Sequence, residues 1–324
     1  MKIENIKFDN FDAFLSEVMI PSGSYWKLLN GFVFRGECTN KYKLLPGALR
    51  EDQVDNLFGS GKPIEEQWKW LSWQIHAEYT ILREFYKAAN NSGIKVPQID
   101  AISKNYVDIF PSELMQRNER LTWVSDDMAE LAALAQHYGL LTRLIDWSYD
   151  ILVALYFACM GAIKKHENKP FEAEDTLVIW ALNAQHIQFL QPTVSRIPLK
   201  FIVPSYYNNP NLNAQKGVLS YWEIEVLSNR EQAQLLMQKG LVQLTDRTPL
   251  DELLQNCCDA HPNKNDHVTL LYKFEIPVSE CISCFEYIMK LGYTAAKLFP
   301  GYNGVVRSMN EEKIFYRIKQ KDSK

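Results

Sequence analysis

Thirteen consecutive residues from Ile151 to Ile163, ILVALYFACMGAI, carry no charge. As a helix the run is about 20 Å long, too short for a bilayer core of about 30 Å. A helix that is apolar all round has to be covered on every side, so the rest of the chain must wrap this segment. Immediately before it, AQHYGLLTRLIDWS packs His137, Thr142, Arg143, Asp146 and Ser148 against the core helix. Polar groups held by a rigid apolar base are the arrangement of a preorganised pocket rim.

Composition fits such a fold. Of 324 residues, 47% are apolar and 23% charged, the balance of a globular chain rather than a disordered one. A formal net charge of −4 argues against a generally basic nucleic-acid coat, but it leaves room for a local basic cleft. The opening MKIENIKFDNFDAF lacks an apolar core and a small-residue cleavage site, so no signal peptide is expected. Six cysteines make no dense disulfide framework. A cytoplasmic protein with reduced thiols and no membrane partner is the expectation.

Local signals divide the chain further. A helix is expected over 10–19, inside an N-terminal helical lead-in of residues 1–30. GFVFRGE (31–37) predicts a short strand with Arg35 near its end, and LLPGALR (44–50) a turn. A helical insertion is expected over about 63–125. Trp68, Leu71, Ile75, Tyr79, Leu82 and Phe85 recur at three and four, which predicts a helix over 64–90. A second helix is expected over 98–110. Ser125 caps a helix running to His137, and Gly139 ends it. Residues 140–148 then read as a tight loop, with the next helix starting near Tyr149.

Strands are expected at 175–182, 216–226 and 267–276. Helices are expected at 184–190, 229–239 and 278–291, with a long polar loop over 203–217. The class is α+β: a helix-rich first half, then a mostly antiparallel sheet. One integrated domain is expected over 31–306, followed by a tail at 307–324.

FRGE (34–37), LLPGALR, QHYGLLTRLIDWS with VALYFA, AQKG (214–217) and LFPGYNG (298–304) together resemble the FRG-domain family, a bacterial family named for its Phe-Arg-Gly motif. The resemblance spans about residues 30–306. The family often carries an Arg shortly before Gln-x-Gly, where this chain reads PNLNAQKG. It recurs in settings that look like toxin or phage-defence systems, which implies an antitoxin or another defence protein as partner. Its motif order is also similar to that of ADP-ribosyltransferases: an Arg or His on a first core strand, a Ser/Thr motif next, and a Glu or Gln late. That similarity implies a transferase-like antiparallel core, NAD as substrate, and an acceptor that is protein or nucleic acid.

NAD cleavage breaks the ribose–nicotinamide bond through an oxocarbenium-like state with a leaving group that is already cationic. Placement, phosphate anchoring and stabilisation of positive charge therefore dominate. Arg35 is the candidate anchor, since a guanidinium contacts phosphate oxygens bidentately. The plainer alternative is an ordinary ion pair. His137 and Thr142 are candidates for ribose hydroxyls, against roles as a helix-end histidine and a local turn residue. Arg143 and Asp146 would organise the same pocket, or form an ion pair clamping the loop, with Asp146 also able to cap the following helix. Gln215 takes the late polar position, but an amide supplies no negative charge. Glu223 and Glu225 are the carboxylate candidates, against a solvated strand face.

Two other classes stay open: a ligand- or partner-binding module without chemistry, and a nuclease effector. Cys257, Cys258, His261, His267, Cys281 and Cys284 raise a zinc site, but their spacing is irregular and Cys281 and Cys284 fall on a predicted helix as core residues. No metal site is expected. Phosphate-loop, dinucleotide-binding and serine-nucleophile motifs are absent from the sequence.

Overall fold

The apolar run folds as a helix over Ile151–His166, and Asp150 caps it by accepting a hydrogen bond from the Leu152 N–H. The computed structural model describes residues 1–104, 106, 119–167, 169–172, 174–193, 195–206, 209–260 and 268–322. Strands are β1 (Lys2–Lys7), β2 (Val33–Glu37), β3 (Leu121–Trp123), β4 (Ile145–Ser148), β5 (Thr176–Leu182), β6 (Leu199–Ile202), β7 (Gly217–Trp222), β8 (Ile224–Val226) and β9 (Thr269–Pro277). The longer helices are α1 (Leu71–Asn91), α2 (Asp126–His137), α3 (Ile151–His166), α4 (Ala184–Leu190), α5 (Asn229–Lys239), α6 (Leu250–Ala260), α7 (Cys281–Lys290) and α8 (Tyr302–Asp322).

Among the described residues, seven strands form one sheet in the order β1-β9-β5-β2-β4-β7-β6. The β1–β9 pair is parallel and the other pairs of that sheet are antiparallel. A mixed α/β fold on a mostly antiparallel sheet is thus observed. No helix among the described residues is long and apolar enough to cross a membrane.

Strand alternation sorts the sheet residues onto two faces. Val33, Val178, Trp180, Leu182 and Leu271 join α4 and α6 in one core. Phe34, Ile179, Ala181 and Phe274 join α3 and α7, with Phe315 and Ile318 of α8, in another. At the far end of the sheet, α1 and α2 cover Leu219 and Tyr221 of β7 in a third.

Several expectations change. Residues 1–30 are not purely helical, because β1 extends the sheet edge; the helix expected over 10–19 is a turn at Phe11–Phe14 followed by a π-helical turn at Leu15–Met19. Residues 307–322 are not a tail but most of α8, seated by Phe315 and Ile318. The long helix starts at Leu71 rather than 64, since Trp70 is extended and bridges Leu244. Only Asp100–Lys104 of the helix expected over 98–110 is described; residues 105 and 107–110 lie outside the described residues. The segment 216–226 is two strands, and β8 leaves the main sheet to pair with β3. The change that matters most lies in 140–148: the expected loop contains β4, a central strand.

Candidate functional site

β4 is laddered in full against β7, from Ile145 opposite Ser220 to Ser148 opposite Gly217. Against β2 it makes a single pairing, Phe34 with Ser148, so the two strands diverge beyond it and the sheet forks at its centre. β2 stays paired with β5 along its length. Gly36 holds one arm of the fork in place: a Cβ there would lie 1.8 Å from the carbonyl oxygen of Ala154, so α3 packs on bare backbone.

Over the fork, between α2 and α3, lies a cleft of about 390 Å³. Phe34, Arg35 and Gly36 form one wall; Asp146, Trp147 and Ser148 form the other. Gln136 and His137 close one end, with Gln215, Phe157 and Phe299 around the rest. Four segments distant in sequence thus meet at one place, of a size usual for small-molecule sites.

A chain of polar contacts runs along its edge. Thr142 Oγ1 accepts from the Leu144 N–H at 3.2 Å and donates to Gln136 Oε1. Gln136 Nε2 donates to Asp146 Oδ1 at 2.6 Å. Across the fork, Arg35 Nη1 donates to the Asp146 carbonyl at 3.1 Å and stands 3.9 Å from Asp146 Oδ2. Arg35 Nε also donates to Glu37 Oε1 at 2.8 Å. Burial pulls the Arg35 pKa down, but Glu37 and Asp146 outweigh it and hold the value above the ordinary one.

His137 is half-buried in the last turn of α2, edge-on to Tyr138. Burial pushes its pKa below the usual histidine value, opposed by the negative charge of Asp146. Ser148 Oγ donates to the Gln215 carbonyl at 2.6 Å, and Gln215 Nε2 donates to the Leu298 carbonyl at 3.0 Å. The segments AQKG and LFPG therefore meet at the cleft.

Arg35, His137, Asp146 and Gln215 line this cleft. Thr142 does not; it is buried behind Gln136 and acts on the cleft through that amide. Arg143 is not a cleft residue either. It is buried and pairs with Glu78 of α1, through Nε at 2.7 Å and Nη2 at 2.8 Å. The expected Arg143–Asp146 pair does not form, because consecutive odd and even positions of β4 and its approach face opposite sides. Asp146 does not cap α3 either, since Asp150 does.

Both carboxylate candidates lie elsewhere. Glu223 falls between β7 and β8, paired with Arg196 and with Lys200 at 2.8 Å. Glu225, on β8, bonds Arg120 at 2.9 Å. The break between the strands removes the shared face that their spacing suggested. Of the thiols, Cys281 and Cys284 pack with Cys159 on one face of the sheet, and Cys258 packs on the other; His261 and His267 lie outside the described residues.

Gln136, Glu37 and Glu78 were not singled out from sequence. Gln136 opens the motif QHYGLLTRLIDWS beside His137, and that membership was its signal. Glu78 sits inside an amphipathic pattern and gives no sign of its partner 65 residues away.

Residues 30–168 match the family model of the FRG domain. This stretch is an FRG domain: it holds β2, α1, β3, α2, β4 and all of α3, and therefore both arms of the fork. Gln215 and the LFPG segment lie beyond the matched residues. No curated protein and no solved structure matches the chain.

Proposed function

We propose that the cleft binds NAD and that the protein is an ADP-ribosyltransferase-like enzyme. One observation carries the reading: Arg35, His137, Asp146 and Gln215 converge from three distant stretches of sequence on one cleft. Arg35 anchors the diphosphate. The bond from ribose C1′ to the nicotinamide nitrogen breaks and nicotinamide leaves with the electron pair. Asp146, the one carboxylate among the described residues that lines the cleft, opposes the positive charge left on the ribose. An acceptor hydroxyl or water then bonds to C1′ and gives its proton to His137, which burial favours in the neutral, proton-accepting form. Gln215 orients the ribose or acceptor.

The family resemblance extends the reading to a bacterial toxin or phage-defence effector, with a protein or nucleic-acid acceptor and an antitoxin or other defence protein as partner. The test is incubation with NAD labelled in both halves, with and without cell lysate. Nicotinamide release lost in Arg35→Ala supports the site, and release that survives in that variant rejects it. NAD bound without turnover would make the cleft a binding module. Nucleic-acid cleavage with NAD intact would make the protein a nuclease.

A further inference from the structure

A second concavity of about 250 Å³ adjoins the cleft and shares Arg35, Gln136 and Asp146 with it. Its other walls are the segments 43–50 and 139–145. Among the described residues, three cations line it, Arg35, Lys43 and Arg50, and one carboxylate, Asp146; Arg35 is in addition paired with Glu37 at 2.8 Å.

Two of these cations are lightly engaged. Arg50 donates from Nε to the Leu45 carbonyl at 3.0 Å, which leaves the terminal guanidinium nitrogens for another acceptor. Lys43 has its contact with Glu252 at 3.5 Å, on the surface.

The backbone carrying them is fixed. The Ala48 N–H donates to the Thr142 carbonyl at 3.0 Å, and the Leu250 N–H to the Leu44 carbonyl at 2.9 Å. Gln74 Nε2 bonds the Ala48 carbonyl at 2.8 Å and Arg247 Nη1 the Leu49 carbonyl at 2.6 Å. A pinned loop carrying two underused cations beside a third is suited to an anion with several acceptor oxygens, and a guanidinium fork matches phosphate geometry.

We infer that this annexe is a phosphate subsite: a nucleotide spans the fork, with its phosphates against Arg50, Lys43 and Arg35 and its sugar in the main cleft. This rests on the reading of the cleft as a nucleotide site and adds Lys43 and Arg50 to it as binding residues.

The test is calorimetric titration of the full chain with ADP, adenosine and inorganic pyrophosphate, in the natural sequence and in Arg50→Gln and Lys43→Gln. Lys43→Gln removes an exposed side chain, so it guards against a folding defect in the other variant. The expected result is ADP bound more tightly than adenosine, weakened about tenfold by Arg50→Gln and less by Lys43→Gln, with adenosine unaffected and pyrophosphate competing with ADP. Equal affinity for ADP and adenosine, no binding of ADP or pyrophosphate, or ADP bound normally by both variants would overturn it. A single-stranded oligonucleotide that displaces ADP and binds more than tenfold tighter would reassign the phosphate to nucleic acid. ADP discrimination without NAD turnover keeps the annexe and removes the NAD reading. NAD turnover indifferent to both variants does the reverse.

Discussion

The short segment TRLID feeds two arginine–carboxylate contacts that differ in kind. Arg143 and Glu78 are sealed, with side chains 5% and 4% exposed. Both oxygens of Glu78 are saturated: Arg143 bonds each, Gln74 adds a bond to one at 2.8 Å and the Trp123 indole to the other at 2.7 Å. Arg35 and Asp146 stand at 3.9 Å, with side chains 22% and 66% exposed. The first contact ties the helical insertion to the sheet and has no capacity left for a ligand. In the second, Arg35 is paired through Nε and Nη2 with Glu37 at 2.8 Å, and only its contact with the Asp146 carboxylate stays long. Saturation marks an ion pair that supports the fold; on the proposed reading, the long and exposed contact is the one left to a ligand.

The largest expected effect attacks the sealed pair. Glu78→Ala leaves Arg143 buried without a counter-charge and should cost about 3–5 kcal/mol, read as a fall in the denaturant midpoint. Asp146→Ala at the open pair should cost about 1 kcal/mol or less, as exposed pairs do. Joint replacement of Glu78 and Arg143 by Met should recover only part of the loss, because Gln74 and the Trp123 indole still lose their acceptor. Equal losses at Glu78 and Asp146 would erase the distinction.

The next effect inverts the ranking when the readout is chemistry. Asp146→Asn keeps shape and removes charge, and should lower nicotinamide release by about 10²-fold with little change in stability. Full release in that variant would sink Asp146 as the charge-stabilising group. The fork itself can also be moved. Gly36→Ala places a methyl against the Ala154 carbonyl and should destabilise by about 1–3 kcal/mol, as overpacking does. It should also weaken ligand binding by displacing β2 from α3, measured by thermal melting and by titration of ADP.

What could be read from sequence follows the range of the forces involved. The core helix, the ends of α2 and the α+β class rest on periodicity and local signals, so they were legible, although Ser125 takes the N-cap position of α2 without a side-chain capping bond. β4 was not. Its four residues give too short an alternation to register, and its partner β7 lies some 70 residues further on. Arg35, His137, Asp146 and Gln215 were legible as residue types in a motif. The split between the sealed and open pairs was not, because it depends on which face of β4 each residue takes and on Glu78 arriving from α1. Gln136 and Arg50 were visible only as members of the motifs QHYGLLTRLIDWS and LLPGALR, and Lys43 carried no signal, since each acquires its place only when 43–50 docks against 139–145.

The smallest effect tests whether the open pair is electrostatically alive. Burial lowers the pKa of His137 and the charge of Asp146 partly restores it. Below the ordinary histidine pKa the imidazole therefore stays neutral longer than in a peptide, and the acid limb of any reaction that uses it as a base lies at lower pH than usual. Removing the charge with Asp146→Asn leaves burial unopposed, so the His137 pKa should fall further. The Glu78→Gln variant, if folded, should leave it where it was, because that carboxylate is sealed around Arg143. Histidine-selective NMR titration of the three proteins reads this directly. A rise in the His137 pKa in Asp146→Asn, or a shift of equal size in Glu78→Gln, would mean that the cleft histidine does not sense Asp146 and that the open pair is only a looser version of the sealed one.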